Sequence, residues 1–314
     1  MRAAIIDAPG AEPRLGDFPE PEAADGGTAL TMLAAGIHQV VRRLAAGTHY
    51  GSGGAYPLIP GVDGVGRDAE GTPRYAASVR SPWGTLAERA VARLAIPVPD
   101  GADPSRVAGA MNPGMSSWLP LTERAAGLDR LGTVLVVGAT GVAGRLAVQN
   151  AFALGAERVV GLGRDAERLA EVARLGAVAV DLADGDAALQ RALGDAVPSL
   201  VLDFVWGAAA ELVWAALGRH GLGEDEADIL HVEIGGTGGP SAALPAALLR
   251  SRRITIRGSG AGSGSVADVM AQLPVYLSKV AAGEVVAPIR VFPLSRLDEA
   301  WAYRGPDRAV VAID

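Results

Sequence analysis

Three glycines, Gly138, Gly141 and Gly144, carry the clearest chemical signal in this chain, within the segment VLVVGATGVAGRLAVQNAFALGAERVVGLGR (134–164). An apolar run leads straight into them and a helical pattern follows. One glycine permits a tight turn, one lets backbone approach a pyrophosphate, and one allows close helix–strand contact. The helix start then offers N–H groups and a positive dipole end to phosphates. Set between a strand and a helix in a βαβ unit of about thirty residues, the spacing predicts a dinucleotide site. Its residues are Gly138, Thr140, Gly141, Val142, Ala143 and Gly144.

The end of the next strand bears on which dinucleotide binds. It closes with Leu162, Gly163 and Arg164, and Arg168 lies one helical turn further on. Two guanidiniums beside an adenine ribose suit a 2′-phosphate, so NADP (NADPH) is expected, with Gly163, Arg164 and Arg168 in its site. Asp165 would favour NAD if it met the ribose diol. Its preferred reading is the N-cap of a helix beginning at Ala166.

What the chain lacks narrows the chemistry further. It has no cysteine, hence no disulfide, zinc–thiolate site, iron–sulfur cluster or thiol nucleophile. Its four histidines, His38, His49, His220 and His231, form no close pair of metal-ligand spacing, and Lys279 is the single lysine. Phosphate must therefore be met by arginine and backbone N–H groups. A net charge of −7, with no basic run longer than two residues, argues against a nucleic-acid partner.

These residues need elements to position them. With 314 residues, 49% of residues hydrophobic and 20% charged, a globular chain of about two domains is expected. The first 115 residues read as short strands (3–6, 29–33, 86–91) and turns, and the glycine-rich stretch 47–66 reads as an irregular loop at a site edge. From near Asn112 the texture changes. Strands at 134–137, 159–162, 177–180, 200–204, 229–234 and 254–256 alternate with helices at 142–154, 166–175, 187–193 and 208–217, the pattern of a doubly wound parallel sheet. A tail from about 266, with an amphipathic helix, strands at 289–292 and 309–312 and a short helix at 297–301, is expected to pack back on the first domain. The domains are thus 1–115 plus 266–314, and 116–265. Asp7 and Pro9 interrupt the apolar start, and no apolar run reaches the roughly 18 residues of a membrane span. A soluble, cytoplasmic protein without a membrane partner is expected.

Several segments together resemble the medium-chain dehydrogenase/reductase superfamily, in its zinc-free quinone oxidoreductase branch. They are AAGIHQVVRRLAAGTHY (34–50), PLIPGVDGVGR (57–67), MNPGMSSW (111–118), the GATGVAG loop, LVLDFVWG (200–207) and RVFPLSRLDEAW (290–301). The resemblance implies a GroES-like barrel-type domain joined to a Rossmann domain with a six-stranded parallel sheet. In zinc-bearing members a ligand cysteine follows the Gly-Ile dipeptide; here that position is His38. Their Gly-His-Glu segment reads Gly61-Val62-Asp63, and the third ligand position falls at about Asn112. One ligand of three cannot hold a catalytic zinc, so no metal site is expected.

Without a metal to polarise the acceptor, the expected reaction is hydride transfer from NADPH to an already activated quinone or α,β-unsaturated carbonyl. Alternatives are a biosynthetic enoyl reductase, or a dinucleotide-binding protein with a non-catalytic role. The resemblance places His38 nearest the nicotinamide and His49 and Tyr50 in the substrate loop, with Tyr56 as a further candidate. It places Ser116 at the nicotinamide end, although Ser116 also reads as a helix cap. Gly235, Gly236, Ser259 and Gly260 are expected at the carboxamide, because they follow the fifth and sixth strands. Trp206 reads as core or pocket wall and Arg145 as a helix-surface residue. The family implies a homodimer paired near residues 241–253.

Overall fold

A computed structural model describes residues 1–22 and 26–313. The described chain divides into two compact units, Met1–Pro113 with Leu273–Asp314, and Gly114–Gln272. Both divisions fall inside helices, Pro104–Ala126 and Val266–Ala281.

In the unit Gly114–Gln272, six strands lie in the order Ile254–Gly258, Ile229–Glu233, Leu200–Asp203, Thr133–Val137, Arg158–Gly163 and Val178–Asp181, every neighbouring pair parallel. Alternate side chains explain why these short runs are apolar throughout. Val134, Val136, Leu200 and Leu202 enter the core on one face, while Leu135, Val137 and Val201 enter the core on the other. Fully burying such a side chain contributes about 1.5–3 kcal/mol. The chain reverses its direction of travel across the sheet between Thr133–Val137 and Leu200–Asp203. That reversal opens the crevice at the strands' carboxyl ends where ligands bind in open α/β sheets. This is the doubly wound Rossmann order expected from the sequence.

The other unit holds a sheet ordered Ile289–Pro293, Arg308–Ala312, Thr28–Gly36, Asp63–Arg67, Pro73–Val79 and Arg89–Pro97. Thr28–Gly36 also pairs with Arg89–Pro97, so four strands close on one another as a small GroES-like barrel. The glycine-rich stretch read as a loop ends in the strand Asp63–Arg67. Gly64 and Gly66 there lie so close to the neighbouring strand that a Cβ would meet Ala34 O at 2.5 Å and Thr31 O at 2.9 Å. Glycine here marks close strand contact rather than a flexible loop. The strand read at 86–91 is instead Arg89–Pro97.

Candidate active site

The glycine turn is built by packing. Gly138 leaves the first strand of the parallel sheet at φ +87°, and the N–H groups of Gly138 and Ala139 both donate to Leu162 O, at 2.8 and 2.9 Å. A Cβ on Gly144 would lie 2.1 Å from Gly138 O and 2.7 Å from Ala139 Cα, so the helix Val142–Ala153 rests directly on the turn. Gly141 is different. A Cβ there would meet nothing nearer than 3.4 Å, so its missing side chain leaves space instead of relieving a clash. It is the N-cap of the helix, and no side chain caps that end. Open space beside uncapped helix N–H groups fits an incoming pyrophosphate.

At the end of the second strand, a Cβ on Gly163 would lie 2.4 Å from Thr140 Cγ2, which explains glycine at 163. Asp165 caps the helix Ala166–Arg174, its Oδ1 accepting from Arg168 N at 3.0 Å. Its Oδ2 lies 3.6 Å from Arg168 Nε. Arg164 is exposed, and among the described residues it makes no ion pair or side-chain hydrogen bond. Gly235 N donates to Asp203 O at 3.2 Å and Ser259 N to Glu233 O at 2.7 Å, while Gly260 N donates to Ser263 Oγ at 2.9 Å. Gly138–Gly144, Gly163–Arg164, Gly235–Gly236 and Ser259–Gly260 therefore all lie at or just beyond the carboxyl ends of strands in one parallel sheet. Ser116 is half-buried in the middle of the long helix Pro104–Ala126, not at that helix's N-terminus. Arg145 is not a surface residue: it is buried and forms an ion pair with Glu171 of the next helix.

The barrel unit assembles a second polar cluster. His38 follows the strand Thr28–Gly36, Asp63 opens its antiparallel neighbour, and Arg308 opens the strand on its other side. His38 and Asp63 are both buried, with His38 Nε2 3.0 Å from Asp63 Oδ1 but out of line for a hydrogen bond. Tyr75 Oη donates to Asp63 Oδ2 at 2.9 Å, and Thr85 Oγ1 donates to Asp63 O at 2.8 Å. Burial and the Asp63 charge push the Tyr75 phenol well above its ordinary range. Arg308 donates to Ile37 O at 3.1 Å; burial lowers its pKa to about 10 against the opposing pull of Asp63. Among the described residues His38 Nδ1 has no hydrogen-bond partner. A buried, unpaired ring nitrogen is costly, and native structures keep few of them.

His49 and Tyr50 stack on each other, ring centroids 4.1 Å apart, and Gly51 N donates to His49 Nδ1 at 3.0 Å. Partial burial, with Arg43 nearby, lowers the His49 pKa. Tyr50 is exposed, whereas Tyr56 Oη donates to Ala45 O at 2.9 Å. Sequence reading missed a third cluster altogether: Asp203, Trp214 and His231, buried beside the glycine turn's crevice. Asp203 closes a strand and His231 sits within one, so periodicity marks both as strand residues and nothing more.

No group of three or more His, Asp or Glu side chains that could hold a metal occurs among the described residues. No helix there is long and apolar enough to cross a membrane.

No protein-family model matches the chain. The curated protein named "Probable NADPH-dependent quinone reductase tdiC", from Emericella nidulans, is 31% identical to it across 87% of each chain. The quinone oxidoreductase of Thermus thermophilus, solved alone and with NADPH, shares 29% identity. It superposes with a TM-score of 0.80 over 99% of this chain and all of its own. An alcohol dehydrogenase superfamily protein from Novosphingobium aromaticivorans, 21% identical with a TM-score of 0.81, has the same fold over the full length of both chains. With its doubly wound sheet, glycine turn and closed four-strand barrel, this chain belongs to the medium-chain dehydrogenase/reductase superfamily.

Proposed function

We propose that the protein is an NADPH-dependent, zinc-independent oxidoreductase whose hydride acceptor is a quinone or an α,β-unsaturated carbonyl. The observation that carries this reading is the glycine turn: Gly144 lies against the Gly138 carbonyl while Gly141 leaves uncapped helix N–H groups open at the sheet's switch point. The quinone reductases that the chain resembles support both the cofactor and the acceptor class.

The dinucleotide's pyrophosphate would meet the N–H groups of Val142, Ala143 and Gly144, and the exposed Arg164 would meet a 2′-phosphate. NADPH supplies one hydride when bound, and the acceptor needs one proton besides. The chain's own task is to hold that proton and the negative charge left on the acceptor oxygen. His38 suits it, because its buried ring stands beside the Asp63 carboxylate and neither ring nitrogen has a hydrogen-bond partner among the described residues. His49 and Tyr50 form an aromatic edge suited to a flat, conjugated acceptor. Zinc independence rests on the donor set. The chain has no cysteine, and His38 is paired with a single carboxylate.

The test is NADPH oxidation by metal-stripped protein across a panel of quinones and enones, beside simple ketones. Turnover with quinones or enones, unchanged by added zinc, is expected. Turnover confined to ketones, or appearing only with zinc, overturns the reading.

A further inference from the structure

Asp203, His231, Trp214 and Trp206 form a chain of contacts that ends on the backbone beside the glycine turn. Trp214, on the helix Ala208–Ala216, donates from Nε1 to His231 Nδ1 at 3.2 Å. A nitrogen that accepts a hydrogen bond carries no hydrogen, so the ring hydrogen sits on Nε2. There it faces Asp203 Oδ2, 3.2 Å away. The other carboxylate oxygen, Oδ1, accepts from both Val205 N and Trp206 N at 2.8 Å. His231 and Asp203 are fully buried and Trp214 nearly so, and burying a charge is costly unless each lone pair finds a donor.

What the cluster holds is a strained turn. Trp206 has φ +61°, a left-handed conformation that bulky residues rarely adopt, and its ring stands edge-on to Trp214 at 5.3 Å. The same turn touches both loops of the crevice. Val205 Cγ2 lies where a Cβ on Gly138 would come within 2.8 Å, and Gly238 N donates to Val205 O at 2.6 Å.

We propose that Asp203, His231 and Trp214 are positioning residues for the dinucleotide: Trp214 locks the His231 tautomer, and His231 and Asp203 fix residues 204–206 as a rigid wall of the crevice. This rests on the reading that the glycine turn binds NADPH. The lock makes a prediction that packing alone does not. In Asp203→Asn, Oδ1 still accepts the two backbone N–H groups, but the new amide donor faces the His231 Nε2 hydrogen. The ring cannot shift that hydrogen to Nδ1, because Trp214 donates there. Trp214→Phe removes the obstacle.

The experiment measures the NADPH dissociation constant of the full-length protein by calorimetry, with thermal melting alongside. Asp203→Asn and His231→Leu are expected to weaken binding about tenfold or more. His231→Gln, which can accept from Trp214 and donate to Asp203, is expected to restore it. Asp203→Asn combined with Trp214→Phe is expected to bind NADPH more tightly than Asp203→Asn alone. Nitrogen NMR of histidine-labelled wild type, which needs no variant to fold, is expected to show His231 protonated on Nε2 only. Wild-type affinity in Asp203→Asn, no recovery in the double variant, or a hydrogen on Nδ1 overturns the proposal. If wild type itself binds no NADPH, the dinucleotide reading fails first and the positioning role falls with it.

Discussion

His38 Nε2 lies 3.0 Å from Asp63 Oδ1 while the opposite ring nitrogen, Nδ1, has no partner among the described residues. Neither nitrogen is in line for a hydrogen bond among the described residues; Nε2 has a carboxylate beside it and Nδ1 is the one turned away from that carboxylate. If Nδ1 handles the acceptor's proton, His38→Gln should lower kcat by about 10²-fold, the usual scale of a lost general acid. The NADPH dissociation constant should stay within about threefold, since the glycine turn proposed to bind phosphate is untouched. Steady-state kinetics and calorimetry on one preparation read both quantities. An unchanged kcat removes His38 from the mechanism.

Gly144 invites the sharpest steric test. A Cβ there would meet Gly138 O at 2.1 Å and Ala139 Cα at 2.7 Å, all backbone and therefore slow to yield. Gly144→Ala should push the helix Val142–Ala153 off the turn at a cost of about 1–3 kcal/mol, which lowers Tm by several degrees. The same displacement should weaken NADPH binding about tenfold or more, because the helix N–H groups move with it. Gly141→Ala meets nothing nearer than 3.4 Å and should keep the wild-type Tm while losing affinity. Equal affinity in Gly141→Ala and wild type would show that no ligand approaches this backbone.

Away from the site, Asp68 sets an acid limit on the barrel. Its Oδ1 accepts from Glu70 N at 3.1 Å and Thr72 N at 2.8 Å, and its Oδ2 pairs with Arg74. The Arg74 hydrogen bond leads in holding the carboxyl below its ordinary value of 3.8, helped by the bond from Thr72 N. The unfolded chain thus binds the proton more readily than the folded one. The stabilisation is present above pH 3.8 and is lost as pH falls through the folded value. Asp68→Asn should melt below wild type at pH 7, and the gap should shrink progressively as pH falls below 3.8. A constant gap across that range would assign the loss to packing.

The parallel sheet was legible because its strands are buried on both faces and read as unbroken apolar runs, as at Thr133–Val137. The glycine turn was legible because glycine there serves backbone geometry that no other residue allows. The strand Asp63–Arg67 was hidden for the same reason turned about: Gly64 and Gly66 permit a close strand approach but, without side chains, show no alternation. The helix Pro104–Ala126 was hidden by Pro113 and Pro120, which locally argue against helix yet are accommodated within it. The Asp63–Tyr75 and Asp203–His231 pairs join residues 12 and 28 positions apart, and only strand pairing brings such residues together.

Cofactor choice should turn on Arg164 more than on Arg168. Arg168 is half-buried and its Nε lies 3.6 Å from Asp165, so part of its charge is already answered. Arg164 is exposed and makes no ion pair among the described residues, which leaves its guanidinium available for paired, charge-assisted bonds to a 2′-phosphate. Losing such bonds costs about 1.5–3 kcal/mol, so Arg164→Ala should weaken NADPH about 10- to 100-fold. NADH has no 2′-phosphate, and its dissociation constant should move by less than about twofold. Arg168→Ala should fall between wild type and Arg164→Ala for NADPH, because Asp165 already answers part of the Arg168 charge. Calorimetric titration of both nucleotides into each variant decides the matter: a parallel loss for NADPH and NADH in Arg164→Ala means that the side chain supports the fold of this strand end and does not read the phosphate.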